Sequence, residues 1–101
     1  MKLYNVKMLT IVCEILAQKN IINILEKHNV SGYTTYESEG NGARGIRGRG
    51  FKNEKNVKIE VILRETTAEK IIEDILSKLI SDFAVIFYMS DVQVARSEKF
   101  T

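Results

Sequence analysis

The chain of 101 residues has one cysteine, one histidine, no tryptophan and no proline. A lone Cys13 excludes an intrachain disulfide. Its place in an apolar run makes it a small buried hydrophobe, suited to a reducing compartment. His28 has no second histidine and no nearby cysteine with which to share a metal. It reads as a helix-end residue whose charge suits the negative end of the helix dipole. No apolar run approaches the roughly 18 residues of a membrane span. The first one, Met8 to Cys13, stops at Glu14 without the small-residue pattern of a cleaved leader, so a cytoplasmic protein is expected. GxxxxGK[ST] is absent too, which excludes a P-loop NTPase. The acids are scattered over helix faces, and Glu60 and Glu65 lie on or near a strand. They form no acid–base pair or metal cluster of recognisable spacing, so neither an enzyme nor a metal site is expected.

The composition is ordinary for a globular protein, 45% hydrophobic and 28% charged. This length makes one domain, residues 1–101, with a core of its own. Glycine is where the distribution becomes uneven. Five of the six glycines lie between Gly40 and Gly50, with Arg44, Arg47 and Arg49 among them. Glycine loses the most backbone entropy on ordering, so this run is expected to be a mobile loop, about 39–56, rather than helix or strand interior. Glycine also lets backbone approach a ligand closely, and arginine offers a planar fork of donors suited to phosphate. The loop reads either as a phosphate catcher or as a solvated surface loop with incidental charge. Charge is concentrated there. Gly40 to Lys55 carries five cations against the one acid Glu54, while the whole chain is only +2. A small anion would be focused on the loop, and a general polyanion binder is not indicated.

Val6 to Cys13 is apolar on both faces after Lys7 and predicts a central strand. Ala17, Ile21, Ile24, Leu25 and His28 then fall on one helical stripe, with Asn29 as terminator and Gly32 beyond it. Gly32 to Ser38 has strand composition, and the glycine–arginine loop follows. Val57, Ile59, Val61 and Leu63 alternate with Lys58, Glu60, Ile62 and Arg64 in a third strand. Thr66-Thr67-Ala68-Glu69 has the spacing of a capping box. It opens a second helix with Ala68, Ile71, Ile72, Ile75, Leu76, Leu79 and Ile80 along one side. Ala84 to Met89 predicts a fourth, buried strand that Asp91 to Ala95 extends or bends, and the tail about 96–101 is expected to fray.

The order β-α-β-loop-β-α-β, with both helices covering one face of an antiparallel four-stranded sheet, is the α+β ferredoxin-like plan. No third helix exists for the second face, although the first and fourth strands are apolar on both sides. A symmetric oligomer is the economical cover, with ligand clefts between subunits. Gly40-Asn41-Gly42-Ala43-Arg44-Gly45 matches GxGxxG literally, but the dinucleotide reading needs a helix to begin there. Gly45, Gly48 and Gly50 exclude that helix. Arg47-Gly48-Arg49-Gly50 is of the RGG type found in RNA-binding segments. RNA-recognition modules of this fold stack bases on aromatics of their central strands, and neither VKIEVIL nor VKMLTIVC has one, so nucleic acid is not expected. The reading from another class is a loop-mediated protein- or RNA-interaction module with no small ligand.

Three segments together carry a resemblance: Gly32-Tyr33-Thr34, then Gly40-Asn41-Gly42-Ala43-Arg44-Gly45-Ile46-Arg47, then Glu60-Val61-Ile62-Leu63-Arg64-Glu65-Thr66. The chain resembles the PII-like signalling proteins over nearly its whole length, most closely the SbtB branch associated with bicarbonate uptake. The resemblance implies a homotrimer with an adenine nucleotide, AMP, ADP, ATP or cyclic AMP, in each inter-subunit cleft. It implies that the long T-loop engages a membrane transporter or another effector, at the membrane periphery in the first case. Carried over by position, Arg44 and Arg47 would contact phosphate. Gly40, Gly42, Ala43 and Gly45 would supply close-approaching backbone, and Ala84 and Val85 would face the adenine. No catalysis is required of such a sensor.

Overall fold

The computed structural model describes residues 1–39, 55–96 and, as backbone, 41–42 and 45–46. Strand β1 (Tyr4–Glu14) leads through a short 3-10 turn (Ile15–Ala17) into helix α1 (Gln18–Lys27). Strand β2 (Thr34–Ser38), the two-residue strands β3 (Asn41–Gly42) and β4 (Gly45–Ile46), and β5 (Asn56–Leu63) follow. Helix α2 (Glu65–Lys78) and strand β6 (Val85–Val94) complete the order. The four long strands form one antiparallel sheet in the order β2-β5-β1-β6. This is the ferredoxin-like sheet with two helices that the hydrophobic pattern implies.

Register explains which face the helices cover. Leu9 pairs with Val61 and Met89, Ile11 with Ile59 and Phe87, and Cys13 with Val57 and Val85. Odd-numbered residues of β1 and β5 therefore share one face, and there Leu9, Ile11, Cys13, Ile59 and Val61 are completely buried. The helices close over them with Ile21, Leu25, Ala68, Ile71 and Ile75, also fully buried. Each large aliphatic side chain so buried contributes roughly 1.5–3 kcal/mol to folding before entropy is charged against it.

The end of α1 follows from one residue. Asn29 takes a left-handed φ of 57°. Its N–H donates to the Glu26 carbonyl and that of Val30 to the Leu25 carbonyl, at 3.0 and 3.4 Å. That is a Schellman close, in which asparagine tolerates the conformation glycine usually supplies.

Several expectations are corrected. The glycine-rich run is not strand-free, because Asn41 pairs with Ile46 and Gly42 with Gly45 in a small antiparallel ladder. Glycine entropy makes such a ladder weak, yet two residues a side need little of it. The capping box is not used. Helix α2 begins at Glu65 with Arg64 in the cap position and no side-chain cap bond, two residues ahead of the Thr66 cap that the Thr66–Glu69 spacing implies. Strand β6 continues unbroken to Val94, the extension that Asp91 to Ala95 offered, but within the described chain it is only partly buried rather than a buried strand. Ile86, Tyr88 and Met89 are 44%, 45% and 40% exposed. Val85 and Phe87 pack partly against the core on the helix side, where Met89 lies farther along the edge strand; Ile86 and Tyr88 point to the second face, over which no helix of the described residues lies.

Candidate functional site

The sheet gathers two parts of the sequence-predicted site at one end. Ser38 of β2, the last strand residue before the glycine-rich run, pairs with Asn56, the first strand residue after it. Asn56 in turn pairs with Glu14 at the end of β1. On the far side of Glu14 lies Ala84. The Glu14 N–H donates to the Ala84 carbonyl at 3.2 Å, and the Ala84 N–H donates to Glu14 Oε2 at 3.1 Å. The Ile15 N–H donates to the Lys55 carbonyl at 2.9 Å. Two chain segments almost thirty residues apart are thus held on either side of the β1 terminus.

Of the eight residues that the family resemblance marks, Ala84 and Val85 stand here, half-buried, with Val85 opposite Cys13. Gly42 and Gly45 face each other across the small ladder. Gly40, Ala43, Arg44 and Arg47 lie outside the described residues. Loop residues Arg49 and Lys52 lie outside them as well.

Two residues at this end escaped sequence reasoning. Glu14 reads as the polar stop of an apolar run, and its carboxylate ties down the backbone before β6. Asn56 is 1% exposed, yet neither Oδ1 nor Nδ2 of its side chain has a hydrogen-bond partner among the described residues. A buried amide left unpaired is costly, so such a group marks a place where a partner belongs. Its only sequence signal is a polar residue one step before the β5 alternation begins.

The uncovered sheet face carries a polar belt. Tyr36 on β2 donates its hydroxyl proton to Glu60 Oε2 at 3.0 Å, and Lys58 Nζ stands 5.8 Å from the Tyr36 ring centroid. Lys58 is held above the ordinary lysine value, chiefly by its hydrogen bond with the Tyr88 hydroxyl and then by Tyr36, so it stays a cation. Between them Thr10 is 1% exposed, and its Oγ1 has no hydrogen-bond partner among the described residues. Glu60 is half-buried in this belt.

The remaining chemistry-bearing side chains are accounted for by structure. Burial, and then the nearby Glu14 charge, pushes the Cys13 thiol up to about 11, which leaves it protonated and unreactive near neutrality. His28 does not merely end its helix. Its Nε2 lies 2.7 Å from Asp74 Oδ2 on α2, and Lys27 and Lys78 flank the same carboxylate at 3.6 and 3.8 Å. Among the described residues no three His, Cys, Asp or Glu side chains are placed to share a metal. No helix among them is long and apolar enough to cross a membrane.

A family model described as nitrogen regulatory protein P-II matches residues 6–99. Solved structures of similar fold agree. The chain is 33% identical to a putative PII-like signaling protein of Thermus thermophilus, covering all of both chains with a TM-score of 0.83. It is 25% identical to CPII of Thiomonas intermedia, a nitrogen regulatory PII-like protein bound to ADP, AMP and bicarbonate. That match covers 98% of this chain and 96% of the other, with a TM-score of 0.85. A second CPII structure, bound to ADP and bicarbonate, has 24% identity and a TM-score of 0.86 over 99% and 98% of the two chains, a likeness of fold.

Proposed function

This chain belongs to the nitrogen regulatory protein P-II family, and from that premise we propose that it is a PII-like adenine-nucleotide sensor. In this reading it is a cytoplasmic homotrimer of the SbtB type, a regulator rather than an enzyme. AMP, ADP, ATP or cyclic AMP occupies the clefts between subunits, and bicarbonate is a candidate second ligand. Arg44 and Arg47 hold the phosphate. Backbone of Gly40, Gly42, Ala43 and Gly45 approaches it closely, and Ala84 and Val85 border the adenine. The T-loop carries the signal to a membrane transporter.

The observation that carries the reading is the convergence of the loop base and Ala84 on Glu14. A ligand reaching from the glycine–arginine segment to the start of β6 would meet the backbone that Glu14 fixes. Asn56, between Glu14 and Ser38, carries an amide with no partner among the described residues, which offers such a ligand two donor hydrogens and one acceptor oxygen. Further support comes from the relative that is 25% identical and bound to ADP, AMP and bicarbonate.

The test is a thermal-shift titration with AMP, ADP, ATP and cyclic AMP, with and without bicarbonate. A ligand that binds only the native state raises Tm with its concentration. Charge-assisted arginine–phosphate bonds contribute roughly 1.5–3 kcal/mol each. Arg44→Ala and Arg47→Ala should therefore each weaken the response by about tenfold or more in ligand concentration. Unchanged nucleotide affinity in both variants would defeat the assignment of the phosphate site.

A further inference from the structure

We propose that the outer flank of α2 is a docking surface for a basic amphipathic helix of another protein. Helix α2 has three sides. Ala68, Ile71, Ile75 and Leu79 face the core, and Asp74 faces α1 through its contact with His28. At 3.6 residues per turn, Ile72 and Leu76 lie on the side away from α1, and Ile80 follows in the turn just past the helix end. Leu76 and Ile80 are 49% and 41% exposed. The start of α2 sits over the β1–β6 pair, because Arg64 and Glu65 line one cleft of about 340 Å³ with Asn5, Lys7 and Asp91. The flank therefore overlooks β6, where Met89 points to the helix side and is 40% exposed.

Charge says what kind of partner fits. Glu69 and Glu73 rise along the same flank and have no ion pair with any described residue. Lys7 is at the helix start and is already held by Glu65 and Asp91. An aliphatic stripe bordered by unpaired carboxylates is complementary to a helix with aliphatic residues at i, i+4 and i+7 flanked by lysine or arginine. A neutral or acidic helix would leave those carboxylates desolvated without compensation.

The probe is a labelled synthetic helical peptide with leucines on one face and lysines on both flanks, read by fluorescence anisotropy against the full chain. The same peptide with glutamate for lysine is the control. The lysine peptide is expected to bind, more weakly as salt rises, and the glutamate peptide is not. Leu76→Asp should weaken binding by about tenfold or more, as removal of a central apolar anchor does. The double variant Glu69→Lys, Glu73→Lys should do the same, and because it alters exposed positions only it keeps the fold. No binding, or equal binding by the two peptides or by the double variant, overturns the proposal. So does light scattering in which Leu76→Asp dissociates an assembly, since a second copy of the chain would then own the flank.

Discussion

Asp74 shows how much one carboxylate can organise. Three basic side chains reach it, His28 and Lys27 from the end of α1 and Lys78 from its own helix. The His28 hydrogen bond first, then Lys27 and Lys78, hold its carboxyl below the usual range. A lowered folded-state value means stability that is present above the unfolded-state pKa and lost as pH falls through the folded one. Asp74→Asn should therefore destabilise the protein in urea at neutral pH, and the gap between variant and parent should close towards acid. A gap that stays constant down to strongly acid pH would show that packing, not charge, is at issue. Little of this was legible beforehand. His28 and Asp74 are 46 residues apart, and no sequence period connects a helix end to the middle of another helix. Asn56 was invisible for a similar reason, since its burial is set by β1 and β2 on either side of it.

At the scale of elements, the sequence is informative wherever one local pattern decides. The β5 alternation places Val57, Ile59, Val61 and Leu63 inside, and all are buried. Asn29 ends α1 because few residues other than glycine accept its φ of 57°. Asn29→Gly should leave stability unchanged or slightly raised, whereas Asn29→Val forces a β-branched residue into that region at a cost of about 1–3 kcal/mol. Equal unfolding midpoints for the two variants would contradict the account. The start of α2 was misread because the helix begins without any side-chain cap, two residues before the capping-box spacing. Threonine spacing favoured Thr66, while the chain leaving β5 at Leu63 turns helical as soon as the sheet edge ends. The short β3–β4 ladder was missed because composition describes the average preference of a run, not the pairing of Gly42 with Gly45.

For the molecule as a whole, the unsolved question in the sequence was the second sheet face, and the structure sharpens it. Ile86, Tyr88 and Tyr36 are exposed there, around a buried Thr10 whose hydroxyl has no partner among the described residues. Apolar residues in β6 reported where the strand should be buried, and the single chain does not bury it. The discrepancy is what an assembly would remove, since another subunit lies outside the reach of any one-chain pattern. The sheet and its two helices were thus legible, and the proposed site is placed at the end of the sheet where Ser38 and Asn56 flank the glycine-rich run. The contacts of Arg44 and Arg47 fall outside the described residues, so the phosphate end rests on position alone. The most direct test of the central claim, an adenine nucleotide between identical subunits, is native mass spectrometry of the purified chain with ADP. The account predicts a trimer carrying up to one nucleotide per subunit. A monomer, or a trimer that takes up no nucleotide, would contradict it.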